Sequence, residues 1–294
     1  MPAPRTREPL HCTLARIDRR VIFAAMTLAV ALPMLFHLEF PVHPSPIVTR
    51  IFEKIESLPP GARVLFSFDY GPSTAPENQP MAEAALRHAL ARGCRVYLMT
   101  IWATGPPQVV RAIDNAVKTD FVDRVYGRDY ICLGFKAGDQ GAINALAADF
   151  KGMFTTDANG ADIESFEMMR GIESTKSFDL IVAIGAGLPG VKEWIQFAAD
   201  PGNVPIVAGT TAVEAPLLYP YYPRQLIGLM GGLQGAAEYE AALLAKYPQF
   251  GERSARAIRM MGPQTVAHLL ILALVVIGNV AFVLERRAQK RATR

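Results

Sequence analysis

Two uncharged apolar stretches bracket this chain. The first, VIFAAMTLAVALPMLF over 21–36, is carried by His37 and Leu38 to Glu39; the second, VAHLLILALVVIGNVAFVL, fills 266–284. A helix rises about 1.5 Å per residue, and roughly 17–25 apolar residues cross a bilayer core. The spacing predicts transmembrane helices over 21–38 and 265–284. The second stretch has the full length. The first is shorter and contains Pro33, which a membrane helix accommodates when the freed carbonyl finds another partner. A secretory signal with Ala29-Val30-Ala31 as its cleavage site is the other reading of the first stretch. Against it, apolar residues continue past that site and the basic stretch before it is long. The second stretch could instead be a buried core helix, but it has no polar face.

Flanking charge sets an orientation. Arg5, Arg7, Arg16, Arg19 and Arg20 precede the first stretch, and Arg286, Arg287, Lys290, Arg291 and Arg294 follow the second. No Lys or Arg occurs between Phe36 and Arg50. Basic residues stay on the cytoplasmic side. Basic tails over 1–20 and 285–294 are therefore expected in the cytoplasm, with a domain over 39–264 outside it, in the inner (cytoplasmic) membrane of a bacterium. Arg253, Arg256 and Arg259 weaken this asymmetry without reversing it.

Composition narrows what the middle can be. The 294 residues are 19% charged and 51% hydrophobic, and three are cysteine. That is too apolar for disorder and too poor in cysteine for a disulfide scaffold. Between the tails, over 38–264, acidic residues outnumber basic ones 24 to 20, so the basic pI belongs to the anchors. A nucleic-acid partner would need a basic face on the domain, and none is expected.

Apolar, β-branched and aromatic runs bounded by turn residues predict strands at 63–70, 95–101, 130–135, 178–184, 204–209 and 225–230. Helical patterns fall at 46–58, 79–92, 107–122, 139–149, 190–199 and 235–246. Residues 152–177 are the least regular and read as an excursion packed on the sheet. Strands alternating with helices predict an α/β fold, a doubly wound, mainly parallel Rossmann-like sheet of about six strands.

In such a sheet ligands bind beyond the carboxyl ends of the strands. The loops there are FDYGPSTAPEN (68–78), TIWATGPP (100–107), GFKAGDQG (134–141), GAGLPG (185–190), GTTAVEAP (209–216) and GGLQGAAEYE (231–240). They supply the candidate ligand-binding residues Asp69, Tyr70, Ser73, Thr74, Glu77, Trp102, Lys136, Asp139, Thr210, Thr211, Glu214 and Glu238. Of these, Asp69, Ser73, Thr74, Lys136 and Thr210 are expected to approach one another. The same residue types also serve tight turns and helix caps.

GAGLPG has the spacing of a dinucleotide-binding turn. It follows the fourth strand instead of the first, and the next strand ends at Gly209-Thr210 with no acid for a ribose, so no cofactor is expected. Nucleophilic catalysis lacks a base, because His43 lies at the membrane edge and His88 falls off the apolar stripe of its helix and reads as solvated. For zinc the segment offers only Cys94 and Cys132 besides those histidines, so no zinc site is expected. Oxygen ligands for Mg²⁺ or Ca²⁺ exist, without a specifying pattern. Cys94 and Cys132 are expected to be reduced and buried, although an oxidising compartment would permit a disulfide. Cys12 is expected in the cytoplasm or at the membrane face, out of reach of the other two.

The runs FSFDYGPSTAPEN, YGRDYICLGFKAG, VAGTTAVEAPLLYPYY and GLMGGLQGAAEYE resemble those of an uncharacterised family of bacterial membrane-anchored α/β-domain proteins. The resemblance covers most of residues 46–246 and implies a discrete domain type, with no activity attached. The functional expectation is a binding or sensing domain for a small molecule, a peptide or an envelope partner. A carboxylate- or metal-dependent hydrolase and a non-catalytic subunit of a membrane complex are the alternatives. Expected partners are the lipid bilayer and either membrane proteins or further copies of the chain.

Overall fold

The computed structural model describes residues 18–292, with side chains up to Arg287. Cys12 and most of the first basic tail lie outside the described residues. The described residues divide into two compact units, one made of residues 18–40 and 259–292, the other of Pro41–Ile258.

In the first unit, helix α1 (Arg19–Leu35) starts at Asp18, whose side chain accepts the Arg20 N–H at 2.9 Å. Most of its apolar side chains, Phe23, Leu28 and Leu32 among them, face outward. The last helix, α9, runs over Arg256–Ala292 and is long and apolar enough to cross a membrane. Leu269, Leu272, Val276, Val280 and Phe282 are exposed along it. Exposed apolar side chains on every side of a helix fit hydrocarbon, where no polar face is needed.

The second unit is an α/β domain. Helix α2 (Pro46–Glu56) opens it with Pro46 at the first helical position, where a missing N–H costs nothing. There follow β1 (Arg63–Asp69), α3 (Ala75–Ala91), β2 (Arg95–Thr100), α4 (Pro106–Ala112), β3 (Tyr130–Phe135), α5 (Asp139–Ala148), β4 (Leu180–Gly185), α6 (Val191–Trp194), β5 (Ile206–Thr210), α7 (Ala215–Leu218), β6 (Leu229–Gly231) and α8 (Gly232–Lys246). All six strands are parallel, in the order β3-β2-β1-β4-β5-β6. The chain builds outward from β1 to β3, returns to lay β4 against β1, and continues to β6. The topological switch point therefore lies between β1 and β4.

Side chains alternate across the strands. Leu65, Tyr97, Met99, Ile131, Ile181, Ala183 and Ile206 enter one core together with Ile143 and Leu146 from α5, Trp194 from α6 and Ile195 just after it. The irregular stretch lies on this face too, contributing Phe154, Ile163, Met168 and Ile172, with Phe150 and Phe178 flanking it. Each such burial contributes roughly 1.5–3 kcal/mol. The opposite face carries α3 and α8.

Helix α3 departs most from its sequence pattern. It begins at Ala75, not residue 79, because Pro76 falls in its first turn, where no backbone donor is required. It is also buried on every side, although it carries Asn78, Gln79, Glu83, Arg87 and His88. Partners from elsewhere bond most of these groups: Asn115 donates to Glu83 at 2.8 Å, Arg87 donates to Asp120 at 2.7 Å, and Tyr70 donates to Gln79 at 2.9 Å. His88 is thus not solvated. It lies 2.9 Å from Glu56 and 2.7 Å from the Tyr239 hydroxyl. The sixth strand is also shorter than expected, only Leu229–Gly231. Cys94 and Cys132 are free and buried.

Candidate functional site

The switch point is built on Asp69 and Gly185, which face each other at the ends of β1 and β4. Asp69 points into the α6 side of the sheet and is 1% exposed. Its carboxylate accepts the Ile101 N–H at 2.9 Å, the Ser67 hydroxyl at 2.6 Å and the Trp194 indole N–H at 2.7 Å. One acid thereby ties β1, the β2 loop and the helix after β4. Burial pushes its pKa up to about 6, against those donors, so it is ionised at neutral pH.

The turn after β4 is covered by Trp102. Its indole N–H donates to the Pro189 carbonyl at 2.6 Å, and its ring lies over Gly187. Gly187 has φ +144°, and a Cβ there would sit 3.3 Å from the indole. The glycine spacing of GAGLPG thus serves a close approach to Trp102 and a turn into α6. The Glu193 side chain folds back to accept the Gly190 N–H at 2.8 Å.

The next loop meets this one. Thr210, ending β5, pairs with Gly185 in the strand register. Its hydroxyl lies 2.8 Å from the Gly185 carbonyl oxygen and 2.6 Å from Oε2 of Glu214. Asn78 supplies the same Gly185 carbonyl at 3.1 Å. Glu77, in the first turn of α3, accepts the Ala212 N–H at 2.9 Å and binds the β1 and β5 loops together. Glu214 is half-buried. Burial raises its pKa, the Thr210 contact lowers it, and the nearby Glu193 charge raises it again.

Between the β4 and β5 loops lies a cleft of about 520 Å³. One wall is Ala186, Gly187, Leu188 and Lys192, and the other is Thr211, Val213, Glu214, Leu217, Leu218, Pro220 and Tyr221. This size and this mixture of apolar walls with few polar groups suit a small-molecule site.

Compared with known proteins, the chain matches no protein-family model and no curated protein.

The structure gathers part of the expected set. Glu77, Thr210, Thr211 and Glu214 meet at the β5 loop, and Thr211 and Glu214 line the cleft. Asp69 lies on the other side of Gly185 from Thr210, sealed from solvent. Tyr70 is buried against Gln79, while Ser73 is exposed and Thr74 half-buried on the β1 loop. Trp102 roofs the β4 turn. Lys136 and Asp139 do not join them. Lys136 follows β3, four strand spacings from Thr210, or about 19 Å at ~4.8 Å per strand. Its ammonium lies 4.8 Å from the Phe154 ring centroid, and Asp139 is exposed at the start of α5. Glu238 sits in the second turn of α8, where it accepts the backbone N–H and hydroxyl of Ser45 and so caps α2. The expected approach of Lys136 to Thr210 fails because β3 and β5 grow outward in opposite directions from β1 and β4.

Sequence reasoning missed Lys192, Leu188, Leu217 and Tyr221, which line the cleft. The signal was available in GAGLPGVK and EAPLLYPYY, where large apolar residues occupy loops that normally carry small polar ones. Among the described residues, no three His, Cys, Asp or Glu side chains gather as a metal site would require.

Proposed function

We propose that this chain is a membrane-anchored binding or sensing protein of the bacterial cytoplasmic membrane. In this reading α1 and α9 both span the bilayer, the termini are cytoplasmic, and the α/β domain faces outward. It recognises a small molecule at the carboxyl edge of its sheet. The observation that carries the binding half is the cleft between the β4 and β5 loops, which combines apolar walls with Thr211, Glu214 and Lys192. The anchoring half draws on the long apolar α9, on the 17-residue α1 and on the arginines outside both.

The full-length protein in detergent, screened by thermal shift against small molecules, should yield stabilising compounds. Leu217 is 68% exposed on the cleft wall, so Leu217→Arg should fold normally and abolish that stabilisation. Compounds that stabilise both proteins equally would remove the cleft from the proposal. Reporter fusions at residues 10, 150 and 290 should place the first and last in the cytoplasm and the middle outside. A cytoplasmic signal from residue 150 would overturn the topology.

A further inference from the structure

We infer that the cleft takes an apolar zwitterion, a free α-amino acid or short peptide with apolar side chains, its ammonium group at Glu214 and its carboxylate at Lys192. The inference rests on the cleft reading above. Its basis is the distribution of charge and apolar surface over the two walls.

Lys192 belongs to the wall formed by the β4 loop and α6, and Glu214 to the wall formed by the β5 loop. Both line the same cleft, yet they form no ion pair with each other. Opposite charges held apart on facing walls are the complement of a ligand carrying both signs. Glu193, beside Lys192 on α6, adds negative charge that is felt at Glu214, its own carboxylate tied to the Gly190 N–H at 2.8 Å. An ammonium group there relieves the repulsion between the two acids. Lys192 is exposed on α6 and reaches the same cleft from the other side. A ligand with one group of each sign meets both walls with no net charge left over. A purely cationic or anionic ligand would leave one wall charge facing apolar surface.

The remaining lining is hydrocarbon. Leu188 is 73% exposed, Val213 89% and Leu217 68%. These large side chains stand wet around the mouth, while Leu218 and Tyr221 line the same cleft with Leu218 fully buried. Covering them favours aliphatic or aromatic side chains on the ligand.

Isothermal titration of the full-length protein in detergent tests this with four probes: L-leucine, the dipeptide Leu-Leu, N-acetyl-leucine and leucinamide. Leucine or Leu-Leu should bind, and the stronger of the two identifies the source as free amino acid or peptide. Acetylating the amine or amidating the carboxylate should each weaken binding about tenfold or more, the usual loss for one charged hydrogen bond. Glu214→Gln should erase the penalty for acetylation, and Lys192→Met the penalty for amidation. Capped probes that bind as well as their parents would overturn the inference, as would failure of all four to bind. A neutral compound that stabilises the protein and is blocked by Leu217→Arg would preserve the cleft while refuting the zwitterion. Binding untouched by Leu217→Arg would refute the cleft itself.

Discussion

The hydroxyl of Thr210 stands 2.6 Å from Oε2 of Glu214 while also lying 2.8 Å from the carbonyl oxygen of Gly185. A hydroxyl has one proton and here meets two acceptors. The hydroxyl donates to the carboxylate oxygen or to the carbonyl, and its bond to Glu214 favours the ionised acid while burial opposes it. Burial is the larger influence, so the Glu214 pKa is raised on folding. Its contribution to stability is fully present below the ordinary carboxylate pKa and is lost as pH rises through the raised folded value. Glu214→Gln keeps an oxygen that accepts from Thr210 and carries no charge. It should remove this pH dependence and change stability by no more than about 1 kcal/mol, measured by urea unfolding at several pH values.

Asp69 should behave as a structural acid with its own pH signature. Its folded pKa of about 6 lies above the ordinary 3.8. Stability from this group is complete below pH 3.8 and falls as pH rises through 6, by about 3 kcal/mol. At neutral pH the ionised carboxylate still holds its three donors. Asp69→Asn turns an amide N–H toward at least one of them and should cost about 2 kcal/mol at pH 7, with Trp194 fluorescence reporting the local change. An unchanged unfolding midpoint would show that the Trp194 and Ile101 contacts carry no weight.

His88 should give the opposite slope. Its Nε2–H donates to Glu56, and Nδ1 accepts from the Tyr239 hydroxyl, so the ring is neutral. Burial lowers its pKa to about 4, although Glu56 acts to raise it. The folded value is depressed, so stability is present above the unfolded value of 6.5 and lost as pH falls toward 4, by about 3 kcal/mol. His88→Gln should flatten that acid limb while lowering stability at pH 7 by roughly 2 kcal/mol. Both effects are read from the difference between variant and parent titrations.

Glu240 marks the junction to the last helix. Its carboxylate accepts the Ile258 N–H at 3.0 Å, and burial lifts its pKa to about 8. Stability from this group is complete below 4.5 and disappears as pH rises through 8. Glu240→Gln retains an oxygen for Ile258 and carries no charge. Thermal unfolding should therefore show it more stable than the parent at pH 9 and nearly equal at pH 5. Equal behaviour at both would mean that the buried charge is relieved by another route.

Gly187→Ala brings a Cβ to 3.3 Å from Trp102 at a φ of +144°. It should cost about 1–2 kcal/mol and shift the Trp102 emission, because the indole must lift from the β4 turn.

Much of the domain was legible from short stretches of chain. RVLFSFD, YICLGF and LIVAIG announce strands because burial of a continuous apolar run on both faces needs no distant information. The stretch over 152–177 was equally recognisable as irregular chain packed on the sheet. His88 was not legible. Its helix reads as amphipathic, and its polar residues look solvated until Glu56, Asn115, Asp120 and Tyr239 arrive from other elements to bond them. The same is true of Glu238, which lies in a loop-edge sequence yet caps α2 through Ser45. Both cases turn on partners more than 30 residues away.

The amino-acid sequence by itself determined the alternation of strands and helices, their parallel arrangement and the apolar segments beyond each end of the domain. Periodicity and uninterrupted hydrophobicity are local properties, and the free energy of burying them depends little on which neighbour does the covering. Tertiary structure decided the order β3-β2-β1-β4-β5-β6. That order makes Gly185 the neighbour of both Asp69 and Thr210, carries Lys136 to the far flank, and opens the cleft between Lys192 and Glu214. A hydrogen bond is satisfied only by a group within about 3 Å in the right direction. The pairing of these side chains therefore follows from which strands lie side by side, and no local pattern records that.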